Sequence, residues 1–201
     1  DKEKDAFVHA SAVKAAGMRY LNEGDKLEFT LEDGPKGPSA VNLKKVDYKE
    51  FNLSNKNQKF ISKLIERKKI CTYIPLDSEL DINLFLNTFL EIQTTFLDDN
   101  ELKVCLLQEP FVINKLKIME PQNIEIANST EIFFVPGLAF SKSGVRLGRG
   151  KGLYDKLLAK YPNSIKVGIC SSLNLYDKLP KESHDILMDY VLTENENLKI
   201  H

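Results

Sequence analysis

The segment that most restricts the fold of this chain is a glycine-rich loop between a predicted buried strand and a predicted helix. It runs from Phe134 to Asp155 and reads FVPGLAFSKSGVRLGRGKGLYD, with glycine at every second position over 148–152. The apolar run 132–135 before it predicts a strand, and the apolar spacing over 152–160 predicts a helix. A strand, a glycine-rich loop and a helix in this order are typical of layered α/β domains.

The residues of this loop suit a phosphate ligand. Glycine lets the backbone approach a ligand closely with its N–H groups pointing inward, and a following helix adds partial positive charge at its start. Arg146, Arg149 and Lys151 supply cations for charge neutralisation. Asp155 is a hard oxygen ligand of the kind that Mg²⁺ binds beside phosphates. On composition alone, an exposed basic surface loop explains the same pattern, and the spacing matches neither a P-loop nor a dinucleotide fingerprint.

Composition excludes several classes of protein. The 201 residues carry 28 Lys and Arg against 29 Asp and Glu, and 42% are apolar, which argues against intrinsic disorder and against a dedicated nucleic-acid binder. No apolar run approaches the ~20 residues that span a bilayer. The three cysteines Cys71, Cys105 and Cys170 stand apart in apolar stretches, so we expect buried thiols in a reducing, cytoplasmic compartment.

The two parts of the chain differ in their residue pattern. Residues 1–45 are β-rich: 26–32 alternates polar and apolar residues, 33–38 is a concentrated turn signal, and 41–43 begins a further strand. A polar stretch over 44–54 separates this part from the rest. We therefore predict two domains, residues 1–45 and 46–201.

From residue 54 onward, strands and helices alternate. Ser54 is a plausible N-cap of a helix, and Asp81 of a second one. This alternation favours an α/β fold with a mostly parallel sheet flanked by helices, preceded by a short, β-rich, partial OB-type segment. The other predicted elements are strands at 70–74, 102–107, 111–118, 132–135, 165–170 and 190–193, and the helix at 152–160.

Three blocks resemble one known family. The loop VPGLAFSKSGVRLGRGKGLYDK closely resembles the signature of the 5-formyltetrahydrofolate cyclo-ligases, and so do the block Leu179–Glu194, which contains P-x-x-x-H-D-x-x-x-D, and the block Tyr73–Asp81. They occur in the family's order over about residues 54–194. The resemblance implies a ligase that uses ATP and Mg²⁺ to convert 5-formyltetrahydrofolate to 5,10-methenyltetrahydrofolate, by phosphorylation of the formyl oxygen and ring closure. We expect a monomer, although the sequence itself does not give the oligomeric state.

The resemblance also implies roles for particular residues. Arg146, Arg149 and Lys151 would act in catalysis, and Asp155 and Asp189 would hold Mg²⁺. The simpler alternatives are a strand start for Asp189, a solvated loop charge for Glu79 and a structural corner for His184 and Asp185. The nucleotide-binding set is Arg146, Leu147, Gly148, Arg149, Gly150, Lys151, Gly152 and Tyr154, and the substrate-binding set is Leu76, Glu79 and Tyr154.

The chain departs from the family in three places. Leu153 replaces the first tyrosine of Gly-Tyr-Tyr-Asp, the stretch 107–130 is short, and a basic first helix is not found. Residues 1–45 instead resemble the second part of a bacterial cold-shock domain, with Phe7 and His9 at positions of its F-V-H-F motif and Ala10 in place of the second Phe. Two alternative functions therefore stand beside the ligase: a catalytically impaired nucleotide- or folate-binding relative, and a chimera that binds single-stranded nucleic acid.

Overall fold

The computed structural model describes residues 7–8, 12, 15, 27–34, 37–45, 52–76, 79–86, 91–116 and 118–200. The chain divides into two compact units, residues 1–47 and 48–201. In the described part of the chain, no helix has the length and apolar character needed to cross a membrane.

The first unit contains a three-stranded sheet. Its strands are β1 (Phe7–Val8), β2 (Leu27–Gly34) and β3 (Gly37–Lys45), in the order β1-β3-β2. β2 and β3 form an antiparallel hairpin, whereas β1 pairs parallel to β3. The predicted strand is confirmed, β3 begins at Gly37 rather than near residue 41, and residues 35–36 of the predicted turn lie outside the described part. The side chains of Phe7 and His9 lie outside the described residues.

The second unit is built on a seven-stranded mixed sheet. The strands are β4 (Ile70–Cys71), β5 (Ile92–Asp98), β6 (Glu101–Leu106), β9 (Ile132–Pro136), β12 (Ile165–Ile169), β14 (Tyr190–Leu192) and β15 (Asn197–Lys199). Their order is β15-β14-β12-β9-β4-β5-β6, with parallel pairs in the centre and an antiparallel pair at each edge.

Two smaller sheets accompany the large one. The hairpin β7 (Phe111–Ile113) and β8 (Met119–Pro121) stands as a two-stranded sheet of its own. Strand β10 (Ala139–Ser141) pairs with β11 (Arg146–Leu147) on one side and with β13 (Leu175–Tyr176) on the other. The loop that the sequence singles out therefore begins inside a β-structure.

Helices are fewer than the sequence predicts. In the described residues of the second unit, the α-helices are α1 (Asn55–Ile65) and α2 (Leu153–Ala159). Ser54 caps α1 as expected, since its Oγ accepts a hydrogen bond from the Asn57 N–H at 3.3 Å. The predicted helix after Asp81 is wrong for residues 83–85, which form a single 3₁₀ turn, and residues 87–90 lie outside the described part. The structure shows a mixed sheet with few helices, and the predicted details of a mostly parallel sheet flanked by helices are not confirmed.

The central strands carry the core. All five residues of β9 are buried, and Phe133, Phe134 and Phe140 are among the largest fully buried side chains. Gly168 is required on β12, because an added Cβ would lie 2.4 Å from the Phe140 ring. All three cysteine thiols are buried and form no disulfide, as the sequence predicts, and burial raises the pKa of the Cys71 thiol.

Candidate functional site

A cavity of about 650 Å³ opens in the second unit. One wall is the segment 146–155, and a second wall is the hairpin β7–β8 with its turn. The ends of the central strands, the segment 95–97 of β5 and the segment 180–185 complete the lining. Because the carboxyl ends of parallel strands meet at one edge of a sheet, this is the usual place for a ligand site in an α/β fold.

Loop geometry is fixed by β-pairing at one end and by a helix at the other. Arg146 pairs with Phe140 across β10 and β11, and Gly152 precedes α2 in a left-handed conformation with φ 59°. Gly150 also has a positive φ of 78°, which favours glycine. A Cβ added at Gly150 or Gly152 would meet nothing within 4 Å, so the space in front of this backbone is open.

Arg146 is held from two sides. Its Nη2 donates to Asp155 Oδ2 at 2.7 Å, and its guanidinium lies 5.3 Å from the centre of the Tyr154 ring. Only 7% of the Arg146 side chain and 12% of the Asp155 side chain are exposed, so this is a largely buried ion pair. The guanidinium is also packed against Gly148, where an added Cβ would lie 2.6 Å from Nη1.

One donor of this buried guanidinium has no acceptor. Arg146 Nε is buried and makes no hydrogen bond within the described part of the chain. A buried N–H without a partner is costly, and native proteins leave few of them. Together with the open space before Gly150 and Gly152, this donor fits an anionic oxygen, so the residues present suit a polyphosphate.

Tyr154 is partly buried and lines the cavity. Its hydroxyl shares a hydrogen bond with Thr95, and the side chain packs against the hydrophobic core. Burial raises the pKa of Tyr154 well above its ordinary value, so the phenol is neutral. The ring still lines the cavity, and it supports Arg146 from below.

A carboxylate faces the loop from the other side of the cavity. Glu79 Oε2 accepts the Leu76 N–H at 3.1 Å, and both residues line the cavity. Burial raises the pKa of Glu79, whereas the Leu76 N–H and the positive charge of Arg149 oppose that rise. The Arg149 charge therefore acts on Glu79 across the cavity, and the acidic and basic parts of the site form one electrostatic unit.

The structure brings together all but one of the predicted site residues. The exception is Asp189, which is not among the cavity-lining residues; its Oδ2 accepts the Lys166 N–H at 2.7 Å between neighbouring strands. Asp155 lines the cavity and also accepts the Ile186 N–H at 3.4 Å. Within the described residues, no group of three or more His, Cys, Asp or Glu side chains is placed to hold a metal ion. A single carboxylate beside phosphate oxygens is nonetheless a common Mg²⁺ arrangement, so Asp155 fits that role.

His184 and Asp185 lie at the rim. The His184 side chain is 65% exposed, its Nδ1 lies 3.5 Å from Glu182 Oε2, and the Asp185 carboxylate accepts the Glu182 N–H at 2.7 Å. This hydrogen bond makes the segment a structured corner, as the simpler interpretation of the sequence expects.

For the second wall, the family resemblance implies only that the stretch 107–130 contributes to the folate pocket, without naming residues. It assigns no site role to the following cavity-lining residues: Thr95, Phe96, Leu97, Asn114, Leu116, Ile118, Met119 and Glu120. They come from a strand and a hairpin that meet only in the folded protein. The apolar run over 111–118 predicts a single strand, and this is wrong: β7 ends at Ile113, and a hairpin turn leads into β8 at Met119.

Fold and cavity together define an α/β protein in which a basic glycine-rich loop lies beside a mixed apolar and acidic pocket. Comparison with known proteins narrows this class. The model of the 5-formyltetrahydrofolate cyclo-ligase family matches residues 51–194, and the model of the "cold-shock" DNA-binding domain matches residues 1–46. The chain belongs to the 5-formyltetrahydrofolate cyclo-ligase family.

Relatives of both parts are known. The 5-formyltetrahydrofolate cyclo-ligase of Mycoplasma genitalium is 32% identical over 154 residues, 73% of this chain and 87% of that protein. The 5,10-methenyltetrahydrofolate synthetase structure from Aquifex aeolicus is 31% identical, with a TM-score of 0.61 over 71% of this chain and 78% of that one. Cold shock-like protein CspJ of Salmonella typhimurium is 56% identical over 43 residues, 21% of this chain and 61% of that protein.

Proposed function

We propose that this protein catalyses the ATP-dependent conversion of 5-formyltetrahydrofolate to 5,10-methenyltetrahydrofolate. The observation that carries this proposal is the cavity in which the basic glycine loop faces Glu79 and an apolar wall. One side suits a polyphosphate, and the other suits a flat heterocycle with polar edges. Family membership and the similarity to named cyclo-ligases support the same assignment.

In the first step, the formyl oxygen of the substrate attacks the γ-phosphorus of ATP, and ADP leaves. Such a transfer needs positioning and charge neutralisation more than a protein nucleophile. Arg146, Arg149 and Lys151 supply the positive charge, and the backbone of Gly148, Gly150 and Gly152 permits close approach. Arg146 is already oriented by Asp155 and Tyr154, so little reorganisation is needed at that position.

In the second step, the other bridging nitrogen attacks the activated formyl carbon. The C–O bond then breaks, phosphate leaves with the former formyl oxygen, and the nitrogen loses its proton. Leu76 and Glu79 hold the pterin, with the Glu79 carboxylate toward its N–H edge. Tyr154 closes the floor of the cavity beneath the reacting atoms.

Mg²⁺ would neutralise charge on the ATP phosphates. Asp155 would hold it, because its carboxylate lines the cavity next to the loop cations. Asp189 remains a sequence-based prediction for this role.

The test is an absorbance assay for methenyltetrahydrofolate with 5-formyltetrahydrofolate, ATP and Mg²⁺. We expect turnover that requires ATP, and a loss of at least about tenfold in kcat/KM for ATP in Arg149→Ala. Lys156→Ala is the matched control, since Lys156 is exposed on α2 and does not line the cavity. Calorimetric binding of ATP or folate without turnover would identify the impaired relative instead, and absence of both would contradict the proposal.

A second candidate function belongs to the domain that we propose for residues 1–45. The match to cold-shock proteins favours binding of single-stranded nucleic acid by base stacking, although those residues span only 61% of the matched relative. Phe7→Ala is expected to weaken binding of a single-stranded oligonucleotide and to leave turnover unchanged. Binding that persists in Phe7→Ala would contradict this candidate.

A further inference from the structure

The hairpin β7–β8 forms a wall of the cavity but has little to hold it. Its strands share three register pairs and belong to no larger sheet. An isolated two-stranded hairpin is marginally stable in water, so its position must depend on contacts with the rest of the unit. Much of its apolar surface is exposed, including Val112 and Ile113.

Glu120 makes the connection at the cavity end of the hairpin. Its Oε2 accepts two hydrogen bonds, from the Leu97 N–H on β5 at 3.0 Å and from Asn114 Nδ2 in the hairpin turn at 2.8 Å. Hydrogen bonds to an ionised carboxylate are shorter and stronger than those between neutral groups. One carboxylate thus ties the turn of the hairpin to a strand of the main sheet.

β6 pairs with β5 at Leu97 on one side, and the Leu97 N–H needs this acceptor because β5 has no strand partner there on its opposite edge among the described residues. β4 pairs with β5 only at Ile92 and Gln93, near the start of the strand. Backbone donors at an incomplete sheet edge must be satisfied by side chains or water. Glu120 therefore satisfies a backbone donor of β5 while it anchors the hairpin.

Asn114 connects Glu120 to the turn of the hairpin through hydrogen bonds. Its Oδ1 accepts the N–H groups of Leu116 and Ile118 at 2.9 and 3.1 Å, and its own N–H donates to the Ile118 carbonyl. The amide therefore shapes the turn that presents Leu116 and Ile118 to the cavity. Glu120 thus holds the Asn114 side chain in place, and Asn114 in turn holds the part of the turn that forms the apolar wall.

We propose that Glu120 is a positioning residue for folate binding, which acts through Asn114 and Leu97 to hold the apolar hairpin wall against the pteridine and benzoyl rings. This inference rests on the proposed function of the same cavity. It assigns to Glu120 a role in substrate affinity without direct contact with the substrate.

The experiment compares Glu120→Ala, Glu120→Gln, Asn114→Ala and the double Glu120→Ala/Asn114→Ala variant in the full chain. Loss of hydrogen bonds to a charged group is expected to raise KM for 5-formyltetrahydrofolate about tenfold in Glu120→Ala, while kcat and KM for ATP change less than about twofold. Asn114→Ala should also raise KM for 5-formyltetrahydrofolate. The double variant should raise it little further than Glu120→Ala alone, because both side chains act through the same contact. Glu125→Ala, an exposed carboxylate just beyond the hairpin, is the matched control.

Hydrogen exchange gives a second readout that is independent of catalysis. Amides of residues 111–121 should exchange about tenfold faster in Glu120→Ala, whereas those of β9 and β12 keep their protection. If Glu120→Ala does not fold, Glu120→Gln, which retains one acceptor oxygen, and Asn114→Ala carry the same test with smaller shifts.

Two results would overturn the inference. Unchanged hairpin exchange would show that the carboxylate does not hold the wall. A raised folate KM in Glu120→Ala together with a normal KM in Asn114→Ala would show that Glu120 contacts the substrate directly. If the wild-type protein shows no turnover, the proposed function fails, and the exchange measurement with calorimetric 5-formyltetrahydrofolate binding still decides the role of Glu120.

Discussion

The two walls of the cavity are built in opposite ways. The loop wall, residues 146–155, is polar, contiguous in sequence and locked by the buried pair of Arg146 and Asp155. The hairpin wall, residues 111–121, is largely apolar and is attached at the cavity end by the Glu120 carboxylate. Phosphate chemistry needs fixed charges at fixed distances, whereas an apolar ring needs only a surface, so the two walls tolerate different degrees of rigidity.

This difference predicts which changes affect folding and which affect affinity. Damage to the loop wall should lower both stability and ATP binding, because its functional cation is also one half of a buried ion pair. Damage to the hairpin wall should lower folate affinity and leave the core intact. The variants that follow separate these effects.

The largest effect is expected from Arg146 and Asp155. Arg146→Met or Asp155→Leu alone leaves a buried, unpaired charge, which costs about 3–5 kcal/mol in the free energy of unfolding. The double variant should recover most of that stability, because apolar residues of similar size replace both charges. ATP affinity should be lost in all three, and denaturant unfolding with calorimetry measures both quantities.

Lys160→Met provides the control for this pair. Its ammonium group pairs with Glu101 at 2.8 Å, but both side chains are about half exposed, so stability should hardly change. A double variant that is as unstable as the single ones, or that still binds ATP, would contradict the two-fold role of the pair.

Gly150→Val is expected to have the next largest effect. The added side chain meets no atom within 4 Å, but a β-branched residue strongly disfavours the φ of 78°. The loop backbone should shift, and kcat/KM for ATP should fall about a hundredfold, with a smaller fall in Gly150→Ala.

Gly168→Ala is the contrasting glycine variant. Its new Cβ would lie 2.4 Å from the Phe140 ring, so it should lower the free energy of unfolding without a specific change in ATP affinity. Full ATP affinity in Gly150→Val would show that the phosphates do not approach this backbone.

The fold was predictable where the signal is local. Ser54 caps α1 through its own hydroxyl, and the sequence alone identifies it. Strand β5 has no such signal, since Thr94 and Thr95 interrupt its alternation, and it is a strand because β4 and β6 pair with it. Asp81 misleads for a related reason: its Oδ1 accepts the Asn83 N–H, but only one turn follows.

The site residues also differ in whether a local sequence pattern identifies them. Arg146, Arg149 and Lys151 are neighbours in sequence, so the pattern of residues by itself makes them candidates for a phosphate site, beside the alternative of an exposed basic loop. The role of Glu120 depends on Leu97 and Asn114, which reach it only through folding. A single sequence contains no local pattern for such a contact.

Glu79→Gln tests the acidic side of the cavity through pH. Burial raises the pKa of Glu79 in the folded protein, so folding favours its protonated form. The associated stability is present below the ordinary glutamate pKa of about 4.3 and is lost as the pH rises through the folded-state pKa. Glu79→Gln removes this loss, so its stability relative to wild type should be greater at about pH 7 than at about pH 4.

The same variant should raise KM for 5-formyltetrahydrofolate about tenfold, because a neutral amide replaces the carboxylate at the pterin edge. Thermal unfolding across this pH range and steady-state kinetics provide the two measurements, with exposed Glu125→Gln as the control. A stability difference that is constant with pH would exclude a buried, ionisable Glu79.

The smallest effect is expected from a matched pair on the hairpin. Met119 and Ile113 pair across β7 and β8, but Met119 is 43% exposed and lines the cavity, whereas Ile113 is 71% exposed and does not. Met119→Ala should raise KM for the folate about threefold to fivefold, since a methionine that is partly covered by substrate contributes about 1 kcal/mol. Ile113→Ala should leave KM for folate and for ATP unchanged. The opposite result, an effect of Ile113→Ala alone, would mean that the substrate lies against the β7 edge of the hairpin and away from Met119 on β8, so that the wall supported by Glu120 is not the one that binds folate.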